Sequence, residues 1–272
     1  MSTQNDIRII RWIEILQSRG LYAFSLDLLA KELPDYSSIA IKRSLSRLSE
    51  KGKILSIHKG YYLILPPQYA AKGTLPPALF LDAFMKHLER PYYVALLNAA
   101  AYHGASHQQP QEFFVMTNFP VLRPTHKKGM KLNYISIKEL PATLIEQRKS
   151  EAGYLNISNP ALTAVDLIQY EKRIGGLNRA ATVLLELAEV LKPADFKTEL
   201  LKHAHVTSLQ RLGYLLEFVC SDLELSESLF KSMIINELNL YRIPLKASAK
   251  IKGFSSGNRW NVIVNAEIEI DE

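Results

Sequence analysis

The sequence predicts an α+β fold: an N-terminal block of three helices and a β-hairpin, followed by a helix-rich α+β C-terminal region. Three patterns carry that prediction. Apolar residues recur at helical spacing through the first 51 residues, segments alternating at period two follow at 53–65 and again between 112 and 137, and helical periodicity dominates from Pro160 onward. A chain of 272 residues with 47% hydrophobic and 22% charged residues has the composition of an ordinary globular protein of two domains.

The first helix is predicted over Asp6–Ser18, with Ile9, Ile13 and Leu16 on its inner face and Gly20 as its C-terminal stop. Ser25 is placed to cap a second helix that turns Leu26, Leu29 and Leu33 inward and ends at Pro34. After the turn Asp35-Tyr36-Ser37, a third helix runs from about Ser38 to Lys51, with Ile41, Leu45 and Leu48 as its buried stripe. At about 100° per residue, Ile39, Arg43, Ser46 and Glu50 fall on the opposite face, with Lys42 and Arg47 on its flanks. Lys53 to Leu65 reads as two strands around His58-Lys59-Gly60, where Gly60 can supply the positive φ of a tight turn. Helix, helix, turn, helix and hairpin is the order of a winged helix-turn-helix.

An exposed helix face of Lys, Arg and Ser after a tight turn suits the DNA major groove. Ser38, Ile39, Lys42, Arg43, Ser46, Arg47, His58 and Lys59 are therefore the candidate DNA-binding residues. Arg43 can donate two hydrogen bonds to a guanine and Ile39 can meet a thymine methyl. Lys42, Ser46 and Arg47 suit phosphates, and Lys59 with His58 sits at the hairpin tip. An ordinary amphipathic helix with a solvated basic face is the alternative, and a winged helix can also bind protein. Charge distribution favours the nucleic acid. The net charge is +6, and residues 1–68 and 69–160 each hold 10 Lys/Arg against 6 Asp/Glu, whereas 161–272 hold 13 against 15.

The expected organisation is a winged helix-turn-helix over 1–68 that closes at Pro66-Pro67, a linker over 69–77 that ends in Pro76-Pro77, and an α+β body over 78–272 with a candidate division near 155–160. In the body, helices are predicted over 78–88 and 92–103, strands over 112–118, 131–137 and 154–157, and helices over 160–172, 176–191, 195–203, 206–221 and 226–239. Trp260–Ile270 alternates like a strand. The basic stretches Arg123–Lys131 and Lys138–Lys149 extend a DNA footprint, face a toxin, or are solvated loops.

Catalytic signatures are weak. His103 and His107 have the four-residue spacing of helical metal ligands, but Gly104 stands where a zinc hydrolase needs glutamate, so a helix end is the simpler reading. No phosphate loop, dinucleotide fingerprint or nucleophile elbow occurs. Asp166 reads as an ion-pair partner for Arg173 or Arg211, and the acids Glu267, Glu269, Asp271 and Glu272 as a solvated strand face and tail. Cys220 reads as a small buried hydrophobe. The expectation is a non-enzymatic protein without cofactor or metal. It also lacks a signal peptide and an apolar run of about 20 residues, which points to the cytoplasm.

Several segments, in order and spacing, resemble the AbiEi antitoxins, predicted transcriptional regulators of viral defence systems. They are RGLYAFSLDLLA (19–30), KRSLSRLSEKGKI (42–54), GYYLILPPQY (60–69), YYVALLNAAAYHGASHQQPQEFFV (92–115), ISNPALTAVDLIQY (157–170), GGLNRAATVLLELAE (175–189), LQRLGYLLE (209–217) and WNVIVNAEIEID (260–271). The resemblance implies a winged-helix domain that represses its own operon at inverted repeats in double-stranded DNA. It also implies a C-terminal region that counteracts a nucleotidyltransferase-type toxin without a stable toxin complex. It makes Lys42, Arg43, Ser46, Arg47 and Lys59 the DNA-facing positions and places Tyr92, His103, Gly104, His107 and Gln108 in a family motif of no stated role. Two alternatives stay open: a free-standing winged-helix regulator whose body senses a ligand or oligomerises, and a nucleic-acid-processing enzyme that uses the winged helix for targeting.

Overall fold

The computed structural model describes residues 4–105 and 110–270, which are mixed α+β. They fall into two compact units, each assembled from separate stretches of chain. The first comprises residues up to 93 together with 111–140 and 147–156; the second comprises 94–110, 141–146 and 157 onward.

The first unit opens with α1 (Gln4–Ser18), β1 (Ala23–Ser25), α2 (Leu26–Glu32), α3 (Ser38–Glu50), β2 (Ile54–His58) and β3 (Tyr61–Ile64). Gly20, at φ 72°, lets the chain reverse after α1, and Leu21 N donates back to Leu16 O. Ser25 and Ser37 cap α2 and α3 by accepting from Leu28 N and Ala40 N. Ile9, Ile13, Leu16, Phe24, Leu29, Leu33, Ile41, Leu45, Leu48, Ile54 and Ile64 form one core, as the helical spacings predict. Trp12 packs edge-on against Phe24, which stacks on Tyr62. β3 lies between β1 and β2 and is antiparallel to both.

After β3 come the single turn α4 (Pro67–Ala70) and α5 (Leu81–His87). Leu75 is buried between them. Strands β4 (Tyr92–Val94), β5 (Phe113–Asn118), β6 (Thr125–Lys127), β7 (Met130–Ile137), β8 (Ile145–Ser150) and β9 (Gly153–Ser158) form a mixed sheet in the order β6-β7-β5-β4-β9-β8. β5 and β7 run parallel from Phe113↔Leu132 to Asn118↔Ile137.

Two expectations over these strands need correction. The predicted helix 92–103 divides, because Tyr92, Tyr93 and Val94 are aromatic or β-branched and fully buried as strand β4. The helix then begins only at Leu96. Ile145–Ser150, read as part of a basic stretch, is a strand; being at the sheet's edge it carries exposed Gln147, Arg148 and Lys149 in place of an apolar alternation.

The second unit is helical: α6 (Leu96–Tyr102), α7 (Pro160–Gln169), α8 (Leu177–Ala188), α9 (Thr198–His203), α10 (Val206–Phe218) and α11 (Leu223–Ile235). Every residue of α7 from Ala161 to Ile168 is buried, so it is the central helix. Its start is fixed by Asn159, which accepts from Leu162 N, and by Pro160 in the first turn. Asp166 is buried in α7, and Arg211 Nε donates to Pro244 O at 3.0 Å. Cys220 is only partly buried, yet enough to push its thiol up to about 12.

The predicted strand 260–270 shrinks to β11 (Val262–Ile263), paired in parallel with β10 (Ile243–Pro244). Its alternation reflects burial of single side chains beside a short ladder. Trp260 is completely buried, and its Nε1 donates to Glu217 Oε2 at 2.7 Å. Gln210, itself buried, donates to the Trp260 carbonyl at 2.6 Å and to Tyr241 O at 2.7 Å. Beyond β11, Asn265 exchanges hydrogen bonds with both backbone groups of Lys246, so the chain is tied by side chains rather than by a strand partner.

Gly213 in α10 exists to admit that indole: a Cβ there would lie 2.1 Å from Trp260 Cζ3. Gly213→Ala is expected to destabilise the chain by about 1–3 kcal/mol, the usual cost of overpacking. Urea denaturation would read it as a lower midpoint at unchanged slope, and an unchanged midpoint would show that the ring moves aside freely.

Candidate nucleic-acid interface

The candidate surface is the outward side of α3 with the adjoining hairpin. Burial of Ile41, Ser44, Leu45 and Leu48 fixes which side of α3 faces the core. Ser38, Ile39, Lys42, Arg43 and Ser46 are exposed as a result, and Ile39 is 63% exposed. The first two turns of this face carry two cations and no acid; the only carboxylate on α3 is Glu50 at its last residue. Ser46 is engaged at that end, where its Oγ donates to Glu50 Oε1 at 3.2 Å.

Arg47 behaves differently from its neighbours. It donates Nε to Asp6 Oδ2 at 3.0 Å and Nη2 to Asp6 Oδ1 at 2.7 Å, a two-pronged pair in which the carboxylate is 1% exposed. The same Nη2 reaches Ser44 Oγ at 3.1 Å. The guanidinium therefore joins the start of α1 to the last turn of α3. No local pattern announces a partner 41 residues away in sequence.

The hairpin turns through Lys59 and Gly60, with Gly60 at φ 72° and Ser56↔Tyr62 giving way to His58↔Tyr61 across a bulge at Ile57. Its tip does not project freely. Gly60 O accepts from Leu26 N at 2.7 Å, His58 packs edge-on to Phe84, and Tyr61 stacks on His87. Lys59 and the outer side of His58 remain exposed. Helix α5 thus braces the hairpin through Phe84 and His87.

The first unit carries a second basic surface, where His126, Lys127 and Lys128 are exposed around the β6–β7 turn and Lys131 pairs with Glu112 at 3.1 Å. That pair and Asn133, which donates to the same carboxylate at 2.7 Å, hold the Glu112 carboxyl below the usual range.

The histidine pair offers no metal chemistry that can be described. His107 and Gln108 lie outside the described residues, as do Asp271 and Glu272. His103 is a buried helix end: its Nε2 lies 2.7 Å from Ser158 O, which can only accept, so Nε2 holds a proton. Its Nδ1 stands 3.9 Å from Glu146 Oε1. Gly104 follows at φ 84°, Tyr92 donates to Asp82, and no group of three potential metal ligands occurs among the described residues. No described helix is long and apolar enough to cross a membrane.

Comparison with known proteins adds three findings. The fold is similar to that in the crystal structure of the RV2827C protein from Mycobacterium tuberculosis, with a TM-score of 0.67 over 93% of this chain and 89% of that one, at 15% sequence identity. No curated protein matches the sequence. Residues 93–218 match the family model of the AbiEi antitoxin C-terminal domain. Over that stretch, a little under half of the chain, it is similar to the C-terminal domain of the AbiEi antitoxins.

Proposed function

We propose that the chain is the antitoxin of a type IV toxin-antitoxin pair and also a DNA-binding repressor of its own operon. In this reading residues 1–68 are a winged helix-turn-helix and 78–272 an antitoxin body, joined through 69–77 and acting in the cytoplasm. The observation that carries the DNA-binding half is the outward face of α3, whose first two turns present Lys42 and Arg43 with no acid between them. Lys59 adds a cation at the braced hairpin. The order α1–β1–α2–α3–β2–β3, with β3 between β1 and β2, supports the winged-helix reading. Arg43 reads a base, Lys42, Lys59 and His58 hold phosphates, and Ser38 contacts the backbone at the helix start. Arg47 contributes by holding α3 against α1.

The antitoxin half rests on the family match over residues 93–218. Its opponent is a nucleotidyltransferase-type toxin, countered without a lasting complex. Neither half calls for a catalytic group.

Arg43→Ala is expected to cost about 1–3 kcal/mol of binding at the operator, concentrated at one base pair per half-site. Lys59→Ala should weaken binding to all duplexes alike and reduce the slope of log affinity against log salt by about one. Titrations of operator and scrambled DNA at several salt concentrations distinguish the two patterns; unchanged affinity in both variants would remove α3 and the hairpin from the interface. The full-length Lys42→Ala/Arg43→Ala double variant should lose promoter repression yet still protect cells that co-express the neighbouring toxin. Loss of protection at normal protein level would show that neutralisation needs DNA binding.

A further inference from the structure

Ile39 is the large apolar side chain that α3 turns to solvent, 63% exposed, in its first turn. A single exposed isoleucine needs no explanation in itself. Its alignment is what distinguishes it. Ile39 and Arg43 are four residues apart and so lie one above the other on the same face, within about 40° around the helix. Lys42 flanks them, exposed. The other end of this stripe is closed to a polyanion, because Ser46 is bonded to Glu50. Arg47, on the remaining flank, is turned to Asp6. The open part of the face is thus its N-terminal half, with one apolar and two cationic side chains. That combination complements a groove in which an apolar group is displayed between phosphates, and the major groove displays one such group, the thymine 5-methyl.

Building on the proposal that α3 reads DNA, we infer that Ile39 is a specificity residue that recognises a thymine methyl beside the guanine read by Arg43. Four helical residues rise about 6 Å, and base pairs are spaced about 3.4 Å along the duplex. The thymine and the guanine therefore lie one or two base steps apart in each half-site. An isoleucine makes no directional bond, so it favours thymine over cytosine by the contact with the methyl alone. Burying one methyl-sized group corresponds to about three- to fivefold in affinity.

The test uses the full-length chain and a duplex that it selects from a random-sequence pool. Each thymine of that duplex is replaced in turn by uracil, which deletes only the methyl group. Each guanine is replaced by 7-deazaguanine, which deletes the acceptor that arginine uses. One thymine per half-site should show an affinity loss of about three- to fivefold on conversion to uracil, within two steps of the guanine whose 7-deaza form matters. Ile39→Ala, a substitution at an exposed site by a good helix former, should bind the thymine and uracil duplexes equally while keeping its dependence on the guanine. A selected duplex bound with no methyl dependence, or a methyl dependence that survives Ile39→Ala, overturns the inference and leaves DNA binding standing. Failure of the chain to select any duplex overturns the DNA-binding reading itself, and this inference with it.

Discussion

Much of the N-terminal block depends on where one carboxylate goes. Asp6 is almost completely buried, and a buried anion must be met by a cation and by hydrogen bonds or it destabilises the fold. Arg47 meets it through two parallel bonds, which fix distance and orientation together. Apolar packing of Ile9, Ile13, Ile41 and Leu45 brings α1 and α3 together without specifying how far one slides along the other. The ion pair supplies that register. The outward face of α3 is then presented in one setting. An arginine that looks like a phosphate ligand in sequence instead joins α3 to α1 through Asp6.

The second unit meets the same demand with neutral groups. Because α7 is buried from Ala161 to Ile168, the polar atoms near its start must find partners inside the protein. Thr163 bonds back to Asn159 O and shares a hydrogen bond with Ser158, whose carbonyl in turn accepts from His103. At the other side of the helical array, Gln210 holds two carbonyls that no strand satisfies, and Trp260 fills the notch at Gly213. The apolar area is supplied by leucines, which pack in many ways. These polar links select one arrangement among them.

Most helices were legible in the sequence because their apolar spacing and caps agree: Ser25, Ser37 and Asn159 each cap the helix that follows. Strands β5, β7 and β9 were legible for the same reason. What escaped was set by distant partners. β1 is three residues long and exists because Tyr61 to Leu63 lie beside it. β4 was hidden in an apolar run that reads equally well as helix, and the alternation after Trp260 suggested a strand for which most of the ladder is missing. Within the candidate interface, exposure of Lys42, Arg43 and Ile39 followed from the helical wheel. The capture of Arg47 by Asp6, the Ser46–Glu50 bond and the bracing of the hairpin by Phe84 and His87 did not, since each joins groups whose meeting depends on tertiary packing or rotamer choice.

The interleaved make-up of the two units bears on how the chain is made. The first unit includes residues 147–156, and the second already owns residues 94–110. During synthesis the first unit can therefore not be completed when its first 93 residues have left the ribosome; more than 50 further residues must emerge before its last strand segments arrive. Until then β4 awaits its neighbour β9, made about 60 residues later, and closure depends on contacts distant in sequence, which form slowly. The stretch 93–218 that matches the AbiEi antitoxin C-terminal domain likewise contains pieces of both units. What is inherited as one block of sequence is thus not one folding block, and recombination at its borders would divide both units at once.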